Sequence, residues 1–362
     1  MDALSAKCAD LVLSILVCLG APPLLNSAFL GTLAESSALE TDASFPPPRF
    51  IRARSEEKSS HGQLPQIIAH RGYNTKFPEN SMAAFRGAIE AGAHALETDV
   101  RLTRDGVVVL SHDPTLMRCF GVEKKISDCD WEYISGLQTL KEPHESMPRL
   151  LDLIEFLAQP DAASIWLQLD IKPDINADEM MSRIAAVFKQ VPESPGSPWK
   201  ERVVLGFWAA KYVPLCQKHL PGFPLVNITF SVAYAEQFLA MDNISFVMMQ
   251  ATLLSPRGRN FIKRAKVAGR QVISWTVNDE YDLDWVVKRK LDGVITDDPK
   301  RFVDLMDPSN GKAISASRPL SKIPGLVRIN FLVSTFSWLF GWKHGYGIER
   351  RFPLFSSRVK TS

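Results

Sequence analysis

Between residues 66 and 296 the chain keeps repeating one theme, a short apolar or β-branched run followed by a segment long enough to hold a helix. The runs fall at 66–69, 95–99, 165–170, 202–206, 225–229, 244–249, 271–275 and 293–296. Runs this short read as strands, and strands separated by helix-length gaps are joined by crossovers, which makes their sheet parallel. Eight such units predict an α/β fold of the TIM (β/α)8 barrel type over residues 65–305, with its site at the C-terminal ends of the strands. The alternative is an open doubly wound sheet, which normally carries a glycine-rich phosphate loop after its first strand. None is present in this sequence. In the first crossover Met82, Phe85 and Ile89 sit at helical spacing, with Asn80 or Ser81 as the cap and Gly92 as the stop.

Outside the barrel the character of the chain changes. Residues 11–21 are apolar but too short for a standard spanning helix, so residues 1–34 are read as a targeting or anchor segment: a signal peptide, a signal anchor or an organellar address. Residues 35–64 and 306–322 read as linkers. The tail, 323–362, contains an apolar, aromatic stretch at 323–342 broken by Arg328 and Asn330 and followed by Lys343, Arg350 and Arg351, a pattern of interfacial helices. These apolar N-terminal and C-terminal extensions predict a membrane surface as partner and a membrane-associated location. The compartments considered are the endomembrane system (endoplasmic reticulum or lipid droplet) and the mitochondrion, with a secretory route as a further option. The 42 basic and 40 acidic side chains leave a charge of only +2, which excludes a surface built to hold a polyanion, so nucleic acid is not an expected partner. Oligomeric state cannot be read from the chain. Cys119, Cys129 and Cys216 lack metal-knuckle spacing and read as ordinary thiols.

The polar residues at the strand ends carry the chemistry. The first strand ends in His70 and Arg71, a proton-transfer group beside a phosphate clamp, and a loop then leads to Glu79. In the second, Glu97 and Asp99 stand two apart and leave the same face. Two carboxylates at one barrel mouth repel unless a positive charge lies between them, and oxygen donors suit a hard divalent cation, Mg2+ or Ca2+. After the Asp105-Gly106 turn, an apolar run folds back and ends at His112, where Asp113 either orients the histidine or caps the next turn. The third main strand brings Asp170 and Lys172, again two apart, readable by themselves as a lining ion pair. Trp275 ends the seventh strand and is read either as a pocket wall or as a core aromatic. Asp297 and Asp298 close the eighth and are expected to cap the next turn, with one of them reaching the site as the other possibility. His94, on the opposite side of its strand from the mouth, is read as structural.

Taken together, His70-Arg71-Gly72, Pro78-Glu79-Asn80, Glu97-x-Asp99, Asp105-Gly106, His112-Asp113, Asp170-x-Lys172, Trp275 to Asn278 and Thr296 to Pro299 resemble the glycerophosphodiester phosphodiesterase family over residues 66–302. Within it, Leu169 to Lys172, Trp199 to Trp208, the Trp275 to Asn278 run and the apolar tail look most like fungal phosphatidylglycerol phospholipase C. The resemblance implies a TIM barrel with His70 and His112 as acid–base pair, Glu97, Asp99 and Asp170 as metal ligands, and Arg71 and Lys172 on the phosphate. It also implies that Glu79 holds the loop or touches glycerol and that Trp275 lines the substrate pocket. Many relatives have glutamate at the position of Asp170, so the ligand here is one methylene shorter. The implied activity is phosphoric diester hydrolysis of a phospholipid, phosphatidylglycerol to diacylglycerol and glycerol 3-phosphate, with soluble deacylated headgroup diesters as the alternative substrates. A neighbouring glycerol hydroxyl attacking phosphorus to give a cyclic phosphate is the implied route. The lipid reading further expects an aromatic rim formed by Phe207, Trp208, Phe223 and Phe230.

Overall fold

A computed structural model describes residues 45–55, 63–172, 176–193, 196–241 and 243–307. The apolar stretches 11–21 and 323–342 lie outside the described residues. Eight parallel strands form the barrel: β1 (Gln66–His70), β2 (Ala95–Leu102), β4 (Trp166–Ile171), β5 (Val203–Phe207), β6 (Leu225–Thr229), β7 (Ser245–Met249), β8 (Val272–Trp275) and β9 (Gly293–Thr296). Pairing of β9 with β1 and of β1 with β2 closes the sheet, so the expected TIM-type barrel is what the chain forms. A short strand, β3 (Val108–Leu110), runs antiparallel to β2 as the return arm of the Asp105-Gly106 turn.

Helices α1 (Met82–Glu90), α5 (Ala177–Gln190) and α9 (Pro256–Val267) are among those that cover the outside of the strands; α2 (Met117–Phe120), α3 (Trp131–Ser135) and α4 (Leu150–Leu157) lie between β3 and β4, and α6 (Tyr212–His219), α7 (Val232–Phe238) and α8 (Gln250–Leu253) follow α5. The α1 helix starts where its sequence says it should. Ser81 accepts a hydrogen bond from the Ala84 backbone N–H at 3.1 Å, and Gly92 beyond the last turn has φ +85°.

Register is what assembles the mouth. His70 lies opposite Glu97 in the β1–β2 ladder, and Asp99 lies opposite Asp170 in the β2–β4 ladder. All eight residues of β2 are buried, Glu97 and Asp99 in its middle among them.

The floor of the barrel is closed by part of the stretch read as a linker. Within 35–64, residues 45–55 pack under the strands: Phe45 and Ile51 are buried, and the Phe50 ring lies tilted against Trp166 at 5.5 Å. Gln66 Nε2 donates to the Phe50 and Arg52 carbonyls at 2.5 and 2.8 Å, and Gln66 Oε1 accepts from Trp166 Nε1 at 2.6 Å. Prolines and charges hide these three apolar anchors from any periodicity test.

The expected membrane surface and membrane-associated location are corrected. Among the described residues no helix is long and apolar enough to cross a membrane. The longest, α5, has 14 residues, and its outer face carries Asp178, Glu179, Arg183 and Lys189. At 1.5 Å per residue that is about 21 Å, short of a hydrocarbon core of about 30 Å.

Gly72 follows the Arg71 turn with φ +79°, and a Cβ there would sit 2.7 Å from the Ala84 backbone carbon at the start of α1. The loop between His70 and Asn80 thus reaches its place only with glycine at this point. Gly72→Ala is expected to lower stability by roughly 2 kcal/mol through backbone strain and the forced shift of α1, read as a fall in thermal midpoint. An unchanged midpoint would count against this close approach.

Candidate active site

The cluster begins with three buried carboxylates. One oxygen each of Glu97, Asp99 and Asp170 lies within 4.8 Å of the others. Lys172 Nζ bridges two of them, donating to Asp99 Oδ1 at 2.6 Å and to Asp170 Oδ2 at 2.7 Å. Arg71 Nε lies 3.3 Å from Asp99 Oδ2, which also accepts from Asn80 Nδ2 at 2.9 Å. The Arg71 backbone N–H donates to Glu97 Oε2 at 3.0 Å, and Trp208 Nε1 donates to Asp170 Oδ1 at 2.7 Å.

Electrostatics mark the cluster as short of positive charge. Burial, then the charge of Asp99, push the Glu97 carboxyl up to about 8. Against its burial, Asp99 is held well below the usual carboxylate range by Lys172 and Arg71. Burial raises Asp170 in spite of Lys172. Two cationic side chains thus face three carboxylates in one buried cluster. All the donors are oxygens, so the set fits a hard divalent cation such as Mg2+ or Ca2+ better than a softer metal.

Two histidines flank the carboxylates, and each has its own aspartate. His70 Nδ1 donates to Asp297 Oδ1 at 2.6 Å, and Asp297 is gripped in turn by Asn74 Nδ2 at 2.7 Å and by Asn278 Nδ2. The other pair is His112 Nδ1 with Asp113 Oδ1 at 2.8 Å, and Arg101 Nε fixes the His112 carbonyl at 2.9 Å. Their environments pull the two imidazoles apart. Burial and Arg71 act to lower His70, but the hydrogen bond and charge of Asp297, with Glu97, overcome them and raise it. For His112, burial, Arg71 and Lys172 prevail and bring it down to about 3.

A third layer ties the loops together. Glu79 accepts from Arg71 Nη1 at 3.0 Å and from Arg118 on α2 at 2.5 Å, while Arg118 Nε reaches Asp113 at 2.6 Å. These cations outweigh burial and hold Glu79 down at about 2. Lys141 Nζ donates to the carbonyls of Asn74, Thr75 and Phe77 at 2.5, 3.2 and 2.9 Å, pinning the loop after β1 from the far side.

His70, Arg71, Glu79, Glu97, Asp99, His112, Asp170 and Lys172 are therefore brought together at one end of the barrel. Trp275 is half-buried at the end of β8, edge-on to Trp208 with ring centroids 5.7 Å apart. Asp297 reaches the site, while Asp298 caps the helix Pro299–Met306 by accepting from Arg301 N at 3.1 Å. His94 accepts from the Ile67 backbone N–H at 2.8 Å, away from the cluster, as a structural residue would.

The four rings expected at a rim pack into the described structure instead of forming one. Phe207 packs inside against Phe238 at 5.3 Å, Phe230 and Trp208 are buried, and Phe223 leans on Phe188 at 5.1 Å. A strand's alternation sends such rings to the core as readily as to a mouth, and aromatic content alone cannot tell the two apart. Sequence reasoning also missed Asn80, Arg118, Lys141 and Trp208 as neighbours of the cluster. Asn80 had been an alternative helix cap; the other three contacts cross elements and leave no local signal.

Residues 70–301 match the family model described as the glycerophosphoryl diester phosphodiesterase family. A glycerophosphodiester phosphodiesterase of Caldanaerobacter subterraneus is 28% identical over 249 residues, covering 66% of this chain and 97% of that protein. A human lysophospholipase D is 24% identical over 293 residues, covering 70% and 88%. Among solved structures, a phosphodiesterase of Oleispira antarctica in complex with the product sn-glycerol-3-phosphate superposes with a TM-score of 0.58 at 24% identity, covering 67% of this chain and 96% of that one. A glycerophosphodiester phosphodiesterase of Thermotoga maritima gives 0.54 at 24% identity, covering 67% and 98%. Those two structures share the barrel fold.

Proposed function

Because the chain belongs to the glycerophosphoryl diester phosphodiesterase family, we propose that it is a metal-dependent hydrolase of glycerophosphodiesters, acting on deacylated phospholipid headgroups. The observation that carries this reading is the convergence of Glu97, Asp99 and Asp170 between two aspartate-linked histidines at the barrel mouth. A divalent cation held by the three carboxylates would offset the anionic charge that makes a phosphodiester resist attack. Arg71 and Lys172 add fixed positive charge beside the same point, where charge grows on the phosphoryl oxygens.

The histidines divide the proton work. His112, lowered to about 3, is neutral at pH 7 and takes the proton from the attacking hydroxyl. His70, raised, carries the proton that the leaving oxygen receives. The attacking hydroxyl is that of the neighbouring glycerol carbon, giving a cyclic phosphate that water opens. Glu79 holds Arg71 in place, and Trp275 walls the glycerol side.

The sign of the pH dependence follows. Activity needs protonated His70, so the rate falls as pH rises through its raised pKa. Asp297→Asn removes the hydrogen-bonded charge that does most to raise that pKa and leaves Glu97 alone against burial and Arg71, so the alkaline limb is expected to move to lower pH. A kcat/KM profile from pH 5 to 9 reads this directly, and an unmoved limb would deny Asp297 its role.

A narrower reading, cleavage of phosphatidylglycerol to diacylglycerol and glycerol 3-phosphate, is supported by the Leu169 to Lys172 and Trp275 to Asn278 resemblance. The relatives' descriptions and the buried aromatics favour the soluble diesters. Product analysis on glycerophosphocholine, a lysophospholipid and phosphatidylglycerol in mixed micelles separates them. Glycerol phosphate from glycerophosphocholine is the expected result; diacylglycerol from phosphatidylglycerol alone would replace it with the narrower reading.

A further inference from the structure

In each of the three clustered carboxylates, one oxygen is already held by a neutral donor of the protein. The backbone N–H of Arg71 holds Glu97 Oε2 at 3.0 Å, Asn80 Nδ2 holds Asp99 Oδ2 at 2.9 Å, and Trp208 Nε1 holds Asp170 Oδ1 at 2.7 Å. The opposite oxygens of Asp99 and Asp170 both face the Lys172 ammonium. In each acid one oxygen is thus already engaged by the protein.

We propose that Trp208 is a positioning residue that fixes Asp170 as a one-oxygen ligand and thereby biases the site toward Mg2+ over Ca2+. The inference rests on the metal-dependent reading above and deepens it. Mg2+ requires near-octahedral geometry with single-oxygen contacts and keeps several waters, whereas Ca2+ takes more ligands and readily binds a carboxylate through both oxygens. Pinned carboxylates offer Ca2+ too few oxygens. Of the three pins one is backbone, and Asn80 also accepts from Thr98 Oγ1 at 2.8 Å, so Trp208 is the side-chain pin chosen for the test.

The indole is well placed to act as a rigid pin. Trp208 is buried, packed edge-on against Trp275 at 5.7 Å and 81°, and tilted against Phe230 at 6.3 Å. Its ring lies 5.9 Å below the Lys172 ammonium, so one side chain orders both the acid and the cation that bonds it. Neighbours that orient a metal ligand commonly tune affinity by about 10- to 100-fold. Local sequence gives no sign of the contact, since Trp208 follows β5 and reaches Asp170 across a strand pairing in which Asp170 stands opposite Gly206.

Calorimetric titration of the full chain and of Trp208→Phe with Mg2+ alone and Ca2+ alone tests this without relying on turnover. The wild type is expected to favour Mg2+, and Trp208→Phe to move the Mg2+/Ca2+ affinity ratio about tenfold toward Ca2+ as Asp170 gains its second oxygen. Equal loss for both ions, or no change in ratio, would overturn the role of Trp208 while leaving the metal reading intact. No binding of either ion to the wild type would overturn the metal reading and this inference with it. Should Trp208→Phe fail to fold, exchange of the Trp208 indole proton in the wild type decides. Slow exchange retained on adding Mg2+ supports the pin, and fast exchange overturns it.

Discussion

Asp99→Asn is expected to lower kcat/KM toward a glycerophosphodiester by at least about 10³-fold, because this one carboxylate is the acid that both buried cations of the site share. It accepts from Lys172 at 2.6 Å and from Asn80 at 2.9 Å, and it lies 3.3 Å from Arg71. Asparagine keeps the volume and removes the charge. Two buried cations then lose their shared counter-ion, and the three-oxygen cluster loses the member that stays anionic most strongly. Divalent binding is expected to weaken in parallel, while circular dichroism stays that of the wild type. Removing one partner of a buried ion pair commonly costs roughly 3–5 kcal/mol, so a lower thermal midpoint is expected too. Activity within tenfold of wild type would show that Asp99 serves packing alone.

His112→Ala is expected to reduce kcat by about 10²- to 10⁴-fold, with a much smaller change in KM. The imidazole is buried and neutral at pH 7, with its Nδ1 side turned to Asp113 and its carbonyl held by Arg101, so the ring is oriented to serve as a base. Asp113 is held well below the usual carboxylate range, against its partial burial, by its bonds to His112 and Arg118, and remains an anion beside the ring. Added imidazole is expected to restore part of the lost rate in His112→Ala, since the vacated volume lies next to the substrate. Loss confined to KM, or no loss, would remove His112 from the proton transfer. The same substitution at His70 tests the acid, and the two variants should differ in which limb of the pH profile they flatten.

The barrel was legible because its strands are fully buried and short, so that each appears in sequence as a compact apolar run. The runs at 66–69 and 293–296 coincide with β1 and β9 to within one residue. The core of the site was legible too, since His70, Glu97, Asp99 and Asp170 sit on strands, where a spacing of two fixes the face. What escaped was whatever depends on register or on contacts between loops. Asp297 could be placed at a strand end, but its reach to His70 depends on β9 closing against β1. Trp208 looked like surface aromatic material because nothing near it in sequence names Asp170 as its acceptor. Residues 45–55 looked like linker because three anchors among prolines carry no period. Membrane contact was inferred from composition at the chain ends, and the described helices offer no span to support it.

The central claim is that three carboxylates at the barrel mouth hold a divalent cation for phosphodiester hydrolysis. Protein stripped with a chelator and dialysed, then assayed for glycerol phosphate released from glycerophosphocholine before and after Mg2+ is returned, tests it most directly. The expected result is no release from the stripped protein, full recovery with Mg2+, and none at any metal concentration for Asp99→Asn. Undiminished release from the stripped protein, or recovery in Asp99→Asn equal to the wild type, would contradict it.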